Sequence, residues 1–126
     1  MALKNRQIFI VDDDASVRQS LNILLATYGF TVKTFSSADE YFRVVTNSVP
    51  GCLILDIHMP ECDGWEALLN LQISGSRRPV IIISADKAGG LKEKALKSGA
   101  VGYLQKPFDG QSLVDLIESS INTDKT

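Results

Sequence analysis

The sequence predicts an α/β fold in which one parallel five-stranded sheet is covered by helices on both faces. Three observations predict it: five short apolar, branched blocks recur, stretches of helical periodicity separate them, and 126 residues suffice for one core but not for two ordinary domains. Because the blocks read as nearly continuous Ile, Val and Leu, the strands are expected to be buried on both faces, with right-handed crossovers between them.

The first block is Gln7 to Val11. Behind it Val17, Leu21, Leu24, Leu25 and Tyr28 fall on one helical face, with Asp14 as the expected N-cap and Gly29 as a left-handed stop. The second block is Thr31 to Phe35. Ser37 with Glu40 then forms a candidate capping box, ahead of a buried stripe of Ala38, Tyr41, Phe42 and Val45. Cys52 to Leu55 is the third block, followed by a stripe of Trp65, Leu68, Leu69 and Ile73. Val80 to Ile83 is the fourth, followed by a weaker stripe of Leu91, Ala95 and Leu96 that stops at Gly99. Val101 to Leu104 is the fifth. Leu113, Leu116, Ile117 and Ile121 make the last helical face, behind Asp109 as a candidate cap. The domain is expected over residues 1–121, with Asn122 to Thr126 as a disordered polar tail.

Composition excludes several function classes. With 44% hydrophobic and 22% charged residues the chain is neither disordered nor fibrous. A net charge of −2 gives no support to a broad basic surface, so the chain itself is not expected to contact nucleic acid. No apolar run approaches the ~20 residues that span a bilayer. The first apolar block runs straight into Asp12, Asp13 and Asp14 rather than toward a cleavage site, so a cytoplasmic protein is expected, with no membrane partner. Cys52 and Cys62 are expected to be reduced, and with the single His58 between them they do not make a zinc site.

The polar residues that follow the blocks carry the functional signal. Ligands of open parallel sheets bind outside the carboxyl ends of the strands. Block one ends in Asp12-Asp13-Asp14, block three in Asp56, block four in Ser84, and block five runs through Gln105 into Lys106-Pro107. Each residue alone has an ordinary explanation, as a cap, a turn or a surface lysine. Their joint placement does not, because Asp12, Asp13 and Asp56 at one edge repel one another and need a cation. Oxygen-only ligands suit Mg²⁺, which takes one or two carboxylates and leaves room for a phosphate oxygen.

Those residues resemble a response-regulator receiver domain over nearly the whole chain. The resemblance rests on Asp12-Asp13, on Asp56-Ile57-His58-Met59-Pro60 with Gly64 beyond, on Ser84-Ala85 and on Lys106-Pro107-Phe108. It implies a flavodoxin-like (βα)5 sandwich of strand order 2-1-3-4-5, the order found in the family's chemotaxis member. Asp56 would accept a phosphoryl group from the phosphohistidine of a sensor histidine kinase or histidine phosphotransfer domain. Asp13 and Asp56 would bind Mg²⁺ or, alternatively, Mn²⁺; Asp12 would do so through water and His58 through its backbone carbonyl. Ser84 and Lys106 would hold phosphoryl oxygens, and Tyr103 would be the switch aromatic, although a fixed strand aromatic is the simpler account of that residue alone. Lys106-Pro107 resembles the family's cis peptide.

The family's output is a changed surface on the fourth helix, fifth strand and fifth helix, including dimerisation on phosphorylation. The run from Ser84 to Phe108 looks most like receivers that precede a helix-turn-helix domain, so control of transcription is the expected output. Two alternatives remain open at the level of sequence. One is a receiver-like interaction module that is not phosphorylated. The other is a haloacid-dehalogenase-like phosphatase with Asp12 as nucleophile and Asp14 as acid, which leaves Asp56 and Lys106 unexplained.

Overall fold

The computed structural model describes residues 7–59 and 62–124, the side chains of 59, 62, 63 and 122–124 excepted. Pro60 and the thiol state of Cys62 therefore lie outside the described residues. The elements in chain order are β1 (Gln7–Val11), α1 (Ala15–Thr27), β2 (Thr31–Phe35), α2 (Ala38–Val44), β3 (Cys52–Asp56), β4 (His58–Met59), β5 (Cys62–Asp63), α3 (Gly64–Ile73), β6 (Val80–Ser84), α4 (Leu91–Lys97), β7 (Gly102–Gln105) and α5 (Gly110–Asp124).

Five strands pair in parallel in the order β2-β1-β3-β6-β7, which is 2-1-3-4-5 once the two-residue ribbon β4-β5 is set aside. Side chains alternate across the sheet with period two. Phe9, Val11, Leu53, Leu55, Val80 and Ile82 face one way and pack with Ala38, Tyr41, Ala67, Leu68, Leu71 and Ala95 of α2, α3 and α4. Ile8, Ile10, Cys52, Ile54, Ile81 and Ile83 face the other way and pack with Leu21 and Leu25 of α1 and Leu113, Val114 and Ile117 of α5. Cys52 is buried and free, and burial pushes its thiol up to about 12, so it stays protonated at neutral pH. Within the layer of α2, α3 and α4, the Lys94 Nζ of α4 sits 4.3 Å from the centre of the Trp65 ring of α3.

Several local expectations need correction. β1, β3 and β6 are buried on both faces, but β2 is half-exposed because it is an edge strand, with Lys33 and Thr31 in solvent. β7 starts one residue late: Val101 is exposed and precedes Gly102, which pairs with Ile81. Glu40 completes only half a capping box. Ser37 Oγ accepts from the Glu40 N–H at 3.1 Å, but Glu40 Oε1 accepts from the N–H of Ser36 at 2.9 Å, one residue upstream of the cap. Helix α5 continues through Asp124 across the expected boundary at 121, since no Gly or Pro lies between Ile121 and Asp124 to stop it. Phe42 and Leu96 sit at the exposed margins of their stripes.

The stripe assigned to α3 is rotated. Ala67, Leu68 and Leu71 are buried, whereas Leu69 and Ile73 are exposed. The helix cannot turn to bury the larger side chains because its first residue, Gly64, lies against the backbone of Ile57. A Cβ added at Gly64 would stand 2.3 Å from Ile57 Cα. Gly64→Ala is therefore expected to destabilise the fold by about 3 kcal/mol, the upper range for overpacking, since the obstacle is backbone and not a flexible side chain. Urea unfolding checks this, and a loss below about 1 kcal/mol would show that α3 can shift freely.

Candidate functional site

Strand geometry brings the polar residues together. The parallel register ends β1, β3 and β6 at one edge, and Asp12, Asp56 and Ser84 occur there because the apolar blocks have run out. One carboxylate oxygen from each of Asp12, Asp13 and Asp56 lies within 4.8 Å of the others. Asp12 and Asp56 are buried, and Asp13 is exposed. Lys106, at the end of β7, places its Nζ 2.9 Å from Asp12 Oδ2 and 3.3 Å from Asp56 Oδ2. Its own N–H donates to the Ser84 carbonyl at 2.7 Å, and the bond from Lys106 to Pro107 is cis.

The backbone holds these side chains from behind. Asp12 Oδ1 accepts from the Asp14 N–H at 3.0 Å, and Asp56 Oδ1 accepts from the His58 N–H at 2.9 Å. Ser84 is fully buried, and its Oγ accepts from the Asp86 N–H at 2.9 Å, which leaves the hydroxyl proton available for donation. The His58 side chain is exposed, with Nε2 3.8 Å from Asp86 Oδ2. Tyr103 is half-buried against the core on the α2, α3 and α4 side.

Electrostatics follow from burial and crowding. Burial raises the Asp56 carboxyl above its ordinary value; the His58 N–H counteracts this, the charge of Asp12 pushes further up, and Lys106 pulls down. For Lys106, burial pulls the ammonium down but the hydrogen bond and charge of Asp12 outweigh it, with Asp56 adding, so its value rises. One lysine thus faces three acids, and the donor set is hard oxygen throughout. A divalent cation fits that chemistry.

Sequence reasoning located Asp12, Asp13, Asp56, Ser84 and Lys106 at one edge, and Tyr103 on the neighbouring strand. It missed Arg18, whose Nη1 donates to the Asp12 carbonyl at 2.7 Å, and Asp86 opposite His58. Arg18 had a signal: it is a cation near the start of a helix, where the dipole favours anions. Asp14 caps α1, with Oδ1 accepting from the Ser16 N–H at 2.9 Å and from its hydroxyl at 2.8 Å, and these bonds lower its carboxyl. A phosphatase acid needs the opposite, a carboxyl held protonated near neutral pH.

Comparison with known proteins bears on the family and the fold. The chain is 38% identical over 114 residues to the transcriptional regulatory protein FixJ of Bradyrhizobium diazoefficiens, covering 90% of this chain and 56% of that regulator. It is equally identical, over the same length, to the response regulator protein TodT of Pseudomonas putida, covering 90% of this chain and 50% of TodT. The chain thus spans about half the length of these curated relatives. The crystal structure of a response regulator receiver domain protein from Clostridium thermocellum superposes with a TM-score of 0.87 at 30% identity, over 94% of this chain and 96% of that one. Residues 8–118 match the family model described as the response regulator receiver domain, and with so much of the chain inside the match, the chain belongs to that family.

Proposed function

We propose that this domain accepts a phosphoryl group on Asp56 from a phosphohistidine of a sensor histidine kinase or histidine phosphotransfer domain. The observation that carries the reading is the meeting of Lys106 with Asp12 and Asp56 beside Asp13. An Asp56 carboxylate oxygen forms the new bond to phosphorus. The bond from phosphorus to the histidine nitrogen breaks, and its electron pair stays on the imidazole. Lys106 neutralises a phosphoryl oxygen, and the Ser84 hydroxyl donates to another. Reaction of the aspartyl phosphate with water then resets the domain without a further protein.

Asp13, Asp56 and the His58 backbone carbonyl are assigned to Mg²⁺ directly, with Mn²⁺ as an alternative, and Asp12 through water. When bound, the ion supplies charge neutralisation for the phosphoryl oxygens. Phosphorylation replaces a carboxylate by a group with greater charge and three acceptor oxygens, which draws Ser84 inward and lets Tyr103 follow. The changed surface lies on α4, β7 and α5, and it supports dimerisation and control of transcription in the cytoplasm. Among the described residues no helix is long and apolar enough to cross a membrane.

Incubation with acetyl phosphate and Mg²⁺ is expected to add one phosphoryl mass, mapped to Asp56 by peptide mass spectrometry. No added mass would leave an interaction module that works without phosphorylation. Mg²⁺ alone is expected to raise the melting temperature. At about tenfold excess over its dissociation constant the stabilisation is about 1.4 kcal/mol, or roughly 3–6 °C for a domain of this size. Unchanged melting across millimolar Mg²⁺ counts against the metal assignment.

A further inference from the structure

We propose that Arg18 is a positioning residue for the metal-binding acids, holding the peptide between Asp12 and Asp13 so that the Asp13 carboxylate faces Asp56. The inference rests on the reading that Asp13 and Asp56 bind Mg²⁺ and extends it to a residue outside that set. Arg18 lies four residues after Asp14, donates its N–H to the Asp14 carbonyl at 3.1 Å, and so belongs to the turn that Asp14 caps. From this fixed base the half-buried side chain turns back, and Nη1 donates to the Asp12 carbonyl at 2.7 Å.

Asp12 is held at every polar atom. Its N–H donates to Phe35 O, its carbonyl accepts from Arg18, and its two carboxylate oxygens accept from the Asp14 N–H and Lys106. Asp13 differs. Among the described residues no hydrogen bond or ion pair reaches its carboxylate, yet an oxygen of that group sits within 4.8 Å of both other acids, which repel it. Among the described residues, it is the backbone that keeps it there. The Asp12 carbonyl belongs to the planar unit that ends at the Asp13 Cα, so fixing that carbonyl fixes where the Asp13 Cα stands and restricts the directions its side chain can take. Without the guanidinium, repulsion turns Asp13 outward into solvent.

This assignment gives a sign opposite to that of charge alone. Removing a cation beside three carboxylates should tighten Mg²⁺ binding if charge were all that mattered. Loss of positioning should weaken it, by about tenfold, as for other groups that orient metal ligands. The experiment titrates Mg²⁺ calorimetrically into the full chain and into Arg18→Ala, Arg18→Lys and, as a charge control on α2, Arg43→Ala, each with its melting curve in the absence of metal. The expected result is weak binding by the Ala variant, intermediate binding by Lys, and unchanged binding by Arg43→Ala. Binding by Arg18→Ala as tight as the parent, or tighter, overturns the assignment. If the Ala variant does not fold, the Lys variant decides: weaker binding supports the assignment and equal binding overturns it. If the parent itself shows no saturable binding, it is the metal site that fails.

Discussion

Asp56→Asn is expected to abolish phosphorylation by acetyl phosphate or by a phosphohistidine donor while leaving the fold intact. The amide has nearly the shape of the carboxylate, but its oxygen is too poor a nucleophile to attack phosphorus, and among the described residues neither neighbouring acid is placed to substitute. Asp12 has one oxygen on the Asp14 N–H and the other on Lys106, and Asp13 lies at the exposed rim. The stability of the variant has a definite sign. Burial and Asp12 raise the Asp56 carboxyl, so the folded state binds the proton more tightly than the unfolded one. The contribution of Asp56 to stability is then greatest at low pH and is lost as pH rises from 3.8 through the raised value. At pH 7 its charge opposes folding. Without divalent metal, Asp56→Asn should therefore melt no lower than the parent, and its response to Mg²⁺ should shrink. Peptide mass spectrometry and paired melting curves check both halves. A phosphoryl group retained by the variant would move the acceptor elsewhere.

Arg78→Ala is expected to cost about 2–4 kcal/mol, because it takes donors from the buried Tyr41 hydroxyl and the half-buried Val49 carbonyl and removes a side chain packed beside two rings. Arg78 is 7% exposed, and among the described residues no carboxylate pairs with it. Its Nη2 donates to the carbonyls of Thr46 and Val49, its Nε to Val49 at 3.2 Å, and its Nη1 to the Tyr41 hydroxyl. The guanidinium also lies 5.2 Å from the centre of the Phe9 ring and 5.9 Å from that of Tyr41. Removing it takes these donors from the Val49 carbonyl and the Tyr41 hydroxyl and empties the space beside the Phe9 and Tyr41 rings, while the Thr46 carbonyl keeps the Val49 N–H. Against a total stability of roughly 5–15 kcal/mol, that is a large fraction. Arg78→Lys should fall between, since one ammonium cannot reach the same set of acceptors. Urea unfolding reads the loss, and a cost under about 1 kcal/mol would mean that water reaches these carbonyls easily.

The fold and the meeting of acids with lysine were legible because both are repetitive consequences of patterning. β1 and β2 begin and end where the apolar blocks do, and a parallel sheet places the next polar residues at one edge whatever the intervening helices. Long-range choices left weaker marks. The rotation of α3 is set by contact between Gly64 and Ile57, which periodicity cannot register, so the larger Leu69 and Ile73 outweighed Ala67 in the reading. Arg78 reads as an ordinary surface arginine because its partners lie 29 to 37 residues earlier. Arg18 was readable only as a misplaced cation, and the acceptor that explains it is a backbone carbonyl, which carries no signature in residue identity.

The stacking of Lys94 on Trp65 has an optical consequence. Trp65 is the only tryptophan in the chain, and the ammonium above its ring comes from a neighbouring helix. Intrinsic fluorescence of the untagged protein is therefore a gauge of the seam between α3 and α4. Any rearrangement that slides one helix past the other changes the field at the indole and registers as a shift in emission, so the conformational state can be followed in real time without attaching a dye.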